Sequence, residues 1–131
     1  MRITALFWAF GEETGFRLFM APGMGHCSGG PGPNAVGGVF GLPSPIRDPE
    51  HDVISALARW VEDGKAPGRI TATLYRDNDP SKEVVAQRPW CAYPVTARYS
   101  GQGDRTRAAW YICEAPSGSS STVFVRPARR P

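Results

Sequence analysis

The sequence predicts an α/β fold built from one amphipathic helix and several short strands. Apolar residues recur at helical spacing in the middle of the chain, and short runs rich in β-branched or aromatic residues stand before and after that stretch. The 131 residues include 15 glycines and 13 prolines, so much of the rest must be loop.

The clearest element is a helix over Pro49–Asp63. Asp48 is a favoured N-cap, and proline suits the first helical position. Gly64 ends the helix, and Pro67 follows shortly beyond it. The apolar face comprises Val53, Ile54, Leu57, Trp60 and Val61.

Strands are predicted on both sides of this helix. Phe16–Met20 is a short apolar run, which is typical of a buried strand, and Pro22–Pro45 is expected to be a long loop. Ile70–Tyr75 alternates and is rich in β-branched residues, as a strand is. The later segments are a second strand at Val84–Trp90, a stretch at Tyr93–Tyr99 broken by Pro94, and an apolar segment of undecided type at Ala108–Cys113.

Composition limits the partners. The net charge is only +3 and the arginines are scattered apart from three near the end, whereas nucleic-acid binding favours a basic stripe on one element. No apolar run has membrane-spanning length, so neither nucleic acid nor a membrane is expected as a partner. Met1–Phe10 lacks the longer apolar region and the clear cleavage site of a signal peptide. We expect one domain over 1–115 and a disordered basic tail over 116–131.

The chain has two histidines in different settings. His26 directly follows the predicted strand, where an α/β-hydrolase holds its general base, and in that fold the histidine is the last of the three catalytic residues along the chain. A loop histidine that merely caps or packs fits the same position, so position alone leaves both readings open. His51 lies in the first turn of the predicted helix, outside its apolar face, and is expected to be solvated.

No nucleophile or metal motif accompanies these histidines. The pattern Gly-x-Ser-x-Gly does not occur in the sequence, and Ser28 follows His26 too closely to be served by it as a base. Paired ligand spacing such as Cys-x₂-Cys is also absent, and Gly101-x-Gly103 is not followed by a helix start. We therefore expect no metal and no cofactor.

Three separated blocks of the chain carry more information than any single motif. They are residues 16–32 (FRLFMAPGMGHCSGGPG), residues 60–67 (WVEDGKAP), and the pair 88–94 (RPWCAYP) and 99–104 (YSGQGD), closed by Cys113. In this order they resemble the histidine loop, the next block and the C-terminal block of the tannase and feruloyl esterase family. The resemblance covers most of the chain.

This resemblance implies a serine carboxylesterase acting on phenolic-acid esters, with an α/β-hydrolase fold and a large inserted lid. His26 would be its catalytic base. In that family the nucleophilic serine, the triad acid and the calcium-binding lid lie upstream of the matched blocks. The chain is therefore expected to be a C-terminal fragment that supplies the last core strand, histidine loop, helix and short C-terminal strands to an N-terminal hydrolase portion.

The resemblance also accounts for three cysteines. In the family, a disulfide joins the cysteine after the histidine to one before the serine, so Cys27 would bond to an upstream cysteine. Cys91 and Cys113 would pair with each other. The family is mostly exported, which implies a secreted or periplasmic protein, although this chain has no convincing signal peptide.

A second hypothesis belongs to another class: a noncatalytic remnant or small interaction module with no activity of its own. A Gly-Cys-Ser-x-Gly-Gly segment encoded upstream of Met1 would favour the fragment. The sequence of the chain leaves the choice open.

Overall fold

The structure is a computed structural model that describes residues 15–116. The expected tail, apart from Pro116, and the Met1–Phe10 segment lie outside the described residues. The strands are β1 (Gly38–Val39), β2 (Leu42–Pro43), β3 (Arg69–Tyr75), β4 (Val84–Cys91), β5 (Thr96–Tyr99) and β6 (Tyr111–Glu114), and the α-helix is α1 (Val53–Asp63). Short 3₁₀ turns cover Arg76–Asn78 and Ala108–Trp110.

The central element is the antiparallel hairpin of β3 and β4. Its register runs from Arg69 opposite Cys91 to Leu74 opposite Ala86, so both strands predicted here are confirmed within one residue. Five of the seven residues of β3 are buried and the other two are half-buried. A strand covered on both faces is apolar or β-branched throughout, which explains the composition of this segment.

The long loop before the helix is held against β3. Ala35 forms an isolated antiparallel bridge with Thr73, whose N–H donates to the Ala35 carbonyl at 2.9 Å. Farther along, the hydroxyls of Ser44 and Tyr75 lie 2.9 Å apart in a buried hydrogen bond. Ala35, Val39 and Tyr75 form a small apolar cluster. The predicted loop is therefore fixed to the sheet at several points.

The helix begins later than its sequence predicts. Its N-cap is Asp52, whose carboxylate accepts the N–H of Ile54 at 2.9 Å, and the first helical residue is Val53 rather than Pro49. The C-terminus is as predicted. Gly64 adopts a left-handed conformation with φ of 69° and donates to the Trp60 carbonyl, as a glycine C-cap does.

A separate turn accounts for the late start. The Asp48 carboxylate accepts the N–H groups of Glu50 and His51, as a cap would, but the chain then becomes extended at Asp52. The Glu50 carbonyl accepts the N–H of Thr71 at 2.6 Å. This bond to β3 takes the carbonyl of Glu50 out of any helical ladder, so the helix begins only after the turn.

The apolar face of α1 is largely exposed within the described residues. Ile54 and Val61 expose 68% and 78% of their surface, and Leu57 is exposed as well. The buried residue of the helix is Ala56, which is 1% exposed. The prediction of an amphipathic helix is confirmed, but residues 15–116 do not cover its apolar face.

The predicted strand Phe16–Met20 is wrong as a secondary-structure assignment. The segment makes one isolated bridge, from Phe19 to Ala92, and the N–H of Tyr93 donates to the Leu18 carbonyl at 2.8 Å. A strand needs a ladder of partners, whereas the bridge at Phe19 is an isolated one. The core strand of a parallel hydrolase sheet is therefore not seen here; the three sheets over 15–116 are antiparallel pairs.

The C-terminal strands are tied to the central hairpin by a disulfide. β5 pairs with β6 from Thr96 opposite Glu114 to Tyr99 opposite Tyr111. Cys91, at the end of β4, bonds to Cys113 in β6, with 5.8 Å between their Cα atoms. The disulfide implied by the family resemblance is present.

Candidate active site

His26 and Cys27 lie on a tight loop between Ala21 and Asn34, and both side chains are exposed. The Cys27 sulfur is 3.2 Å from Nδ1 of His26 and 3.9 Å from Nε2. Cys27 is a free thiol and has a φ of 67°, which is uncommon for a residue other than glycine.

Close backbone contacts between glycines hold the loop. The N–H of Gly25 donates to the Gly29 carbonyl at 2.8 Å, which closes a turn around the His-Cys pair, and the N–H of Gly32 donates to the Gly23 carbonyl at 2.9 Å. A Cβ atom on Gly30 would lie 2.4 Å from the Gly23 oxygen. Only glycine fits there, so the Gly-rich sequence is explained by the approach of two backbone segments.

Both ends of the loop are attached to the β3–β4 hairpin. The N-terminal side is attached through the bridge from Phe19 to Ala92. On the other side, the Asn34 side chain donates to Oδ1 of Asn78 at 2.9 Å and to the Gly32 carbonyl at 3.1 Å. The hairpin is therefore the scaffold that positions His26.

The partners of His26 are few. Within residues 15–116, its hydrogen-bond partner is Cys27, and no carboxylate reaches it. Ser28, the residue that superficially resembles a nucleophile, has its Oγ buried with no hydrogen-bond partner in this range. A hydroxyl enclosed in this way is not presented to a substrate, in agreement with its interpretation as a loop residue.

His51 is not simply solvated, contrary to expectation. Its side chain is 21% exposed, and Nδ1 lies 2.8 Å from Oδ1 of Asp48. Burial alone would raise the pKa of Asp48, but hydrogen bonds from the His51 side chain and the Glu50 backbone outweigh it and lower that pKa. The hydrogen bond between His51 and Asp48 stabilises the turn before α1, which is a structural role.

The described residues assemble no metal centre around His26. No three His, Cys, Asp or Glu side chains of residues 15–116 are grouped to hold a metal ion. A surface groove of roughly 500 Å³ lies between Leu42–Pro45 and Asp79–Ser81, and His26 is not among its lining residues. Over the same range, no helix is long and apolar enough to cross a membrane.

Sequence reasoning overlooked one residue beside the loop. Phe40, between β1 and β2, has a positive φ of 48°, and the edge of its ring is directed at Gly29, where an added Cβ would lie 3.3 Å from Cζ. The sequence signal for this turn was Gly41, because glycine is the favoured second residue of a two-residue hairpin turn. The first residue is most often asparagine, so Phe40 was unusual there.

Comparison with known proteins gives a consistent result. The protein-family model for tannase and feruloyl esterase matches residues 2–114 of this chain. An uncharacterized esterase from Xanthomonas campestris pv. campestris is 48% identical over 117 residues, which are 88% of this chain and 20% of that protein. A mono(2-hydroxyethyl) terephthalate hydrolase from Piscinibacter sakaiensis is 40% identical over 102 residues, which are 76% of this chain and 14% of that protein.

Two solved structures have the same local fold. An esterase from Aspergillus oryzae matches with a TM-score of 0.68 and 30% identity, over 84% of this chain and 23% of that one. Feruloyl esterase B from Aspergillus oryzae matches with a TM-score of 0.62 and 32% identity, over 74% of this chain and 18% of that one. The chain thus spans less than a quarter of the length of each of these four relatives.

Proposed function

The chain belongs to the tannase and feruloyl esterase family, and from this membership we propose that it is the histidine-bearing portion of a serine carboxylesterase, with His26 as the general base. The observation that carries the proposal is the exposed His26-Cys27 pair on a glycine-built loop. This pair lies inside the segment that matches the family. The serine and the acid would come from an upstream hydrolase portion.

His26 would act by proton transfer. Its neutral imidazole would accept the serine proton during attack on the ester carbonyl and return it to the leaving alcohol; water would then release the acid from the acyl-enzyme by the same path. General base catalysis of this kind raises the reaction rate by about 10²–10⁴-fold. An exposed imidazole on a loop fixed to a hairpin fits this task.

Cys27 would orient the imidazole. As a free thiol, its sulfur lies 3.2 Å from Nδ1 of His26 and would compete with a carboxylate for a hydrogen bond to that nitrogen. A disulfide from Cys27 to an upstream cysteine would remove the thiol proton and leave Nδ1 to a carboxylate, as a catalytic triad requires. The same bond would hold serine and histidine together.

We propose esters of phenolic or related aromatic acids as substrates. The names of two relatives, a feruloyl esterase and a mono(2-hydroxyethyl) terephthalate hydrolase, share an aromatic acid on the acyl side. The acyl group would be selected by the upstream portion, where the family resemblance places the inserted lid. The disulfide Cys91–Cys113 supports an oxidising compartment, such as the periplasm or the exterior.

A hybrid enzyme tests this proposal. The chain replaces the matched portion of the Piscinibacter hydrolase, which is 40% identical to it over 102 residues and whose own substrate is known from its name. We expect the hybrid to hydrolyse mono(2-hydroxyethyl) terephthalate, with the unaltered hydrolase as positive control and its truncated form as negative control. Mass spectrometry should find Cys27 in an additional disulfide.

The noncatalytic alternative gives a different outcome. A hybrid that has a cooperative unfolding transition and bonds Cys27, yet shows no hydrolysis above the truncated control, would contradict the proposed function. The chain would then be a remnant with no base to contribute.

A further inference from the structure

The hairpin of β1 and β2 is closed by a two-residue turn, Phe40-Gly41, in an unusual way. Both residues have positive φ values, 48° and 81°, as the commonest hairpin turn requires. Asparagine followed by glycine is the favoured sequence for such a turn, whereas a bulky residue with positive φ is an outlier. The turn alone does not explain a phenylalanine at position 40.

The ring of Phe40 makes a contact that does. Although 69% of Phe40 is exposed, a Cβ on Gly29 would lie 3.3 Å from Cζ of its ring, and Gly29 itself is buried. The carbonyl of Gly29 accepts the N–H of Gly25 at 2.8 Å, and this hydrogen bond closes the turn that carries His26. The edge of the ring therefore stands beside the residue whose carbonyl closes the turn.

The hairpin itself is firmly anchored. Val39 is 2% exposed in the apolar cluster with Tyr75. The N–H of Ser44 donates to the Gly37 carbonyl at 3.1 Å, and the Ser44 hydroxyl bonds that of Tyr75. Phe40 is thus carried by a support fixed to β3, independently of the histidine loop.

From these contacts we propose that Phe40 is a positioning residue for His26. Its ring packs on Gly29, shields the hydrogen bond from Gly25 and keeps the His-Cys turn closed. Phe40 acts through the loop and touches no reacting atom. The catalytic consequence rests on the proposed function of His26, whereas the effect on the loop does not.

The first test uses the chain alone and the amide hydrogen exchange of Gly25. Phe40→Asn gives the turn its favoured Asn-Gly sequence but removes the ring, and we expect exchange at Gly25 to accelerate by about fivefold or more as the turn opens. Phe40→Tyr keeps the ring and should restore slow exchange. Leu42→Ala, an exposed apolar change in the same hairpin, is the matched control and should leave Gly25 unchanged.

If Phe40 serves only the hairpin turn, the amide exchange rates of Gly25 in the parent and in Phe40→Asn should rank in the opposite order. Asparagine would then be as good as phenylalanine or better, and exchange at Gly25 in Phe40→Asn would be unchanged or slower. That result would overturn the proposal, whatever the function of His26.

The second test uses the hybrid enzyme. Phe40→Asn should lower kcat about tenfold with KM within about twofold, because misplacement of a catalytic group costs rate rather than binding. Phe40→Tyr and Leu42→Ala should retain kcat. If His26→Ala leaves the hybrid active, the proposed function fails. If His26→Ala abolishes activity and Phe40→Asn retains full kcat, the positioning role fails alone.

Discussion

The carboxylate of Asp48 lies 2.8 Å from Nδ1 of His51, across the turn that precedes α1. Hydrogen bonds from His51 and from the Glu50 backbone hold the pKa of Asp48 below its ordinary value of 3.8 in spite of burial, which alone would raise it. A carboxyl whose pKa is lowered on folding stabilises the protein above its unfolded pKa. This stabilisation is lost as the pH falls through the lower folded value.

The first prediction concerns this acid dependence. Asp48→Asn keeps an oxygen for the turn but cannot ionise, so the free energy of unfolding should fall less steeply in the variant between about pH 5 and about pH 2. Urea unfolding at both pH values measures the difference. Equal slopes in parent and variant would show that Asp48 does not contribute. Half of the Asp48 side chain is exposed, so we expect a small effect.

The second prediction concerns the disulfide between Cys91 and Cys113. It closes a separation of 22 residues, so replacing both cysteines by serine should lower the free energy of unfolding by about 3 kcal/mol. Cys27→Ser is the control and should change it by less than about 0.5 kcal/mol, since Cys27 is exposed. Thiol titration of the parent should find one reactive group. Bonding of Cys27 to either other cysteine would contradict the assignment.

The third prediction concerns the chain by itself. It should not hydrolyse methyl gallate or methyl ferulate, because its sequence contains no nucleophile elbow and no carboxylate of residues 15–116 reaches His26. Product release is followed by chromatography against a buffer blank. An esterase activity of the purified chain that disappears in His26→Ala would show that some serine of the chain is a nucleophile after all.

The fourth prediction concerns the exposed apolar face of α1. Ile54→Gln with Val61→Gln should reduce self-association in light scattering, because exposed apolar patches promote it. The free energy of unfolding should change by less than about 0.5 kcal/mol per site. Ala56→Gln is the contrasting variant: this residue is buried, so the change should cost about 2 kcal/mol or more. Unchanged light scattering in the double variant would contradict the prediction.

The sequence predicted the elements that local chemistry determines. The β-branched run at Ile70–Tyr75 is a strand because β3 is buried on both faces, and Gly64 ends the helix because only a left-handed residue caps it there. The family blocks correctly implied the pairing of Cys91 with Cys113, which no spacing rule would have given.

Other features depend on contacts that a linear pattern does not contain. Asp48 has the signature of an N-cap, but the bond from Thr71 to the Glu50 carbonyl diverts the chain. Phe16–Met20 has the composition of a buried strand, yet a strand exists only where neighbours pair with it. The sequence places His51 in solvent because it lies outside the apolar face of the predicted helix, and that pattern does not contain its hydrogen bond to Asp48.

The most direct test of the account is the specific activity of the hybrid with His26→Ala, compared with His51→Ala. His26→Ala should lower kcat/KM for mono(2-hydroxyethyl) terephthalate by about 10³-fold or more, since triad members act as a unit. His51→Ala should retain kcat/KM within about threefold, because the imidazole of His51 is bonded to Asp48 in the turn before α1. A hybrid that keeps its activity without His26 and loses it without His51 would contradict the central assignment.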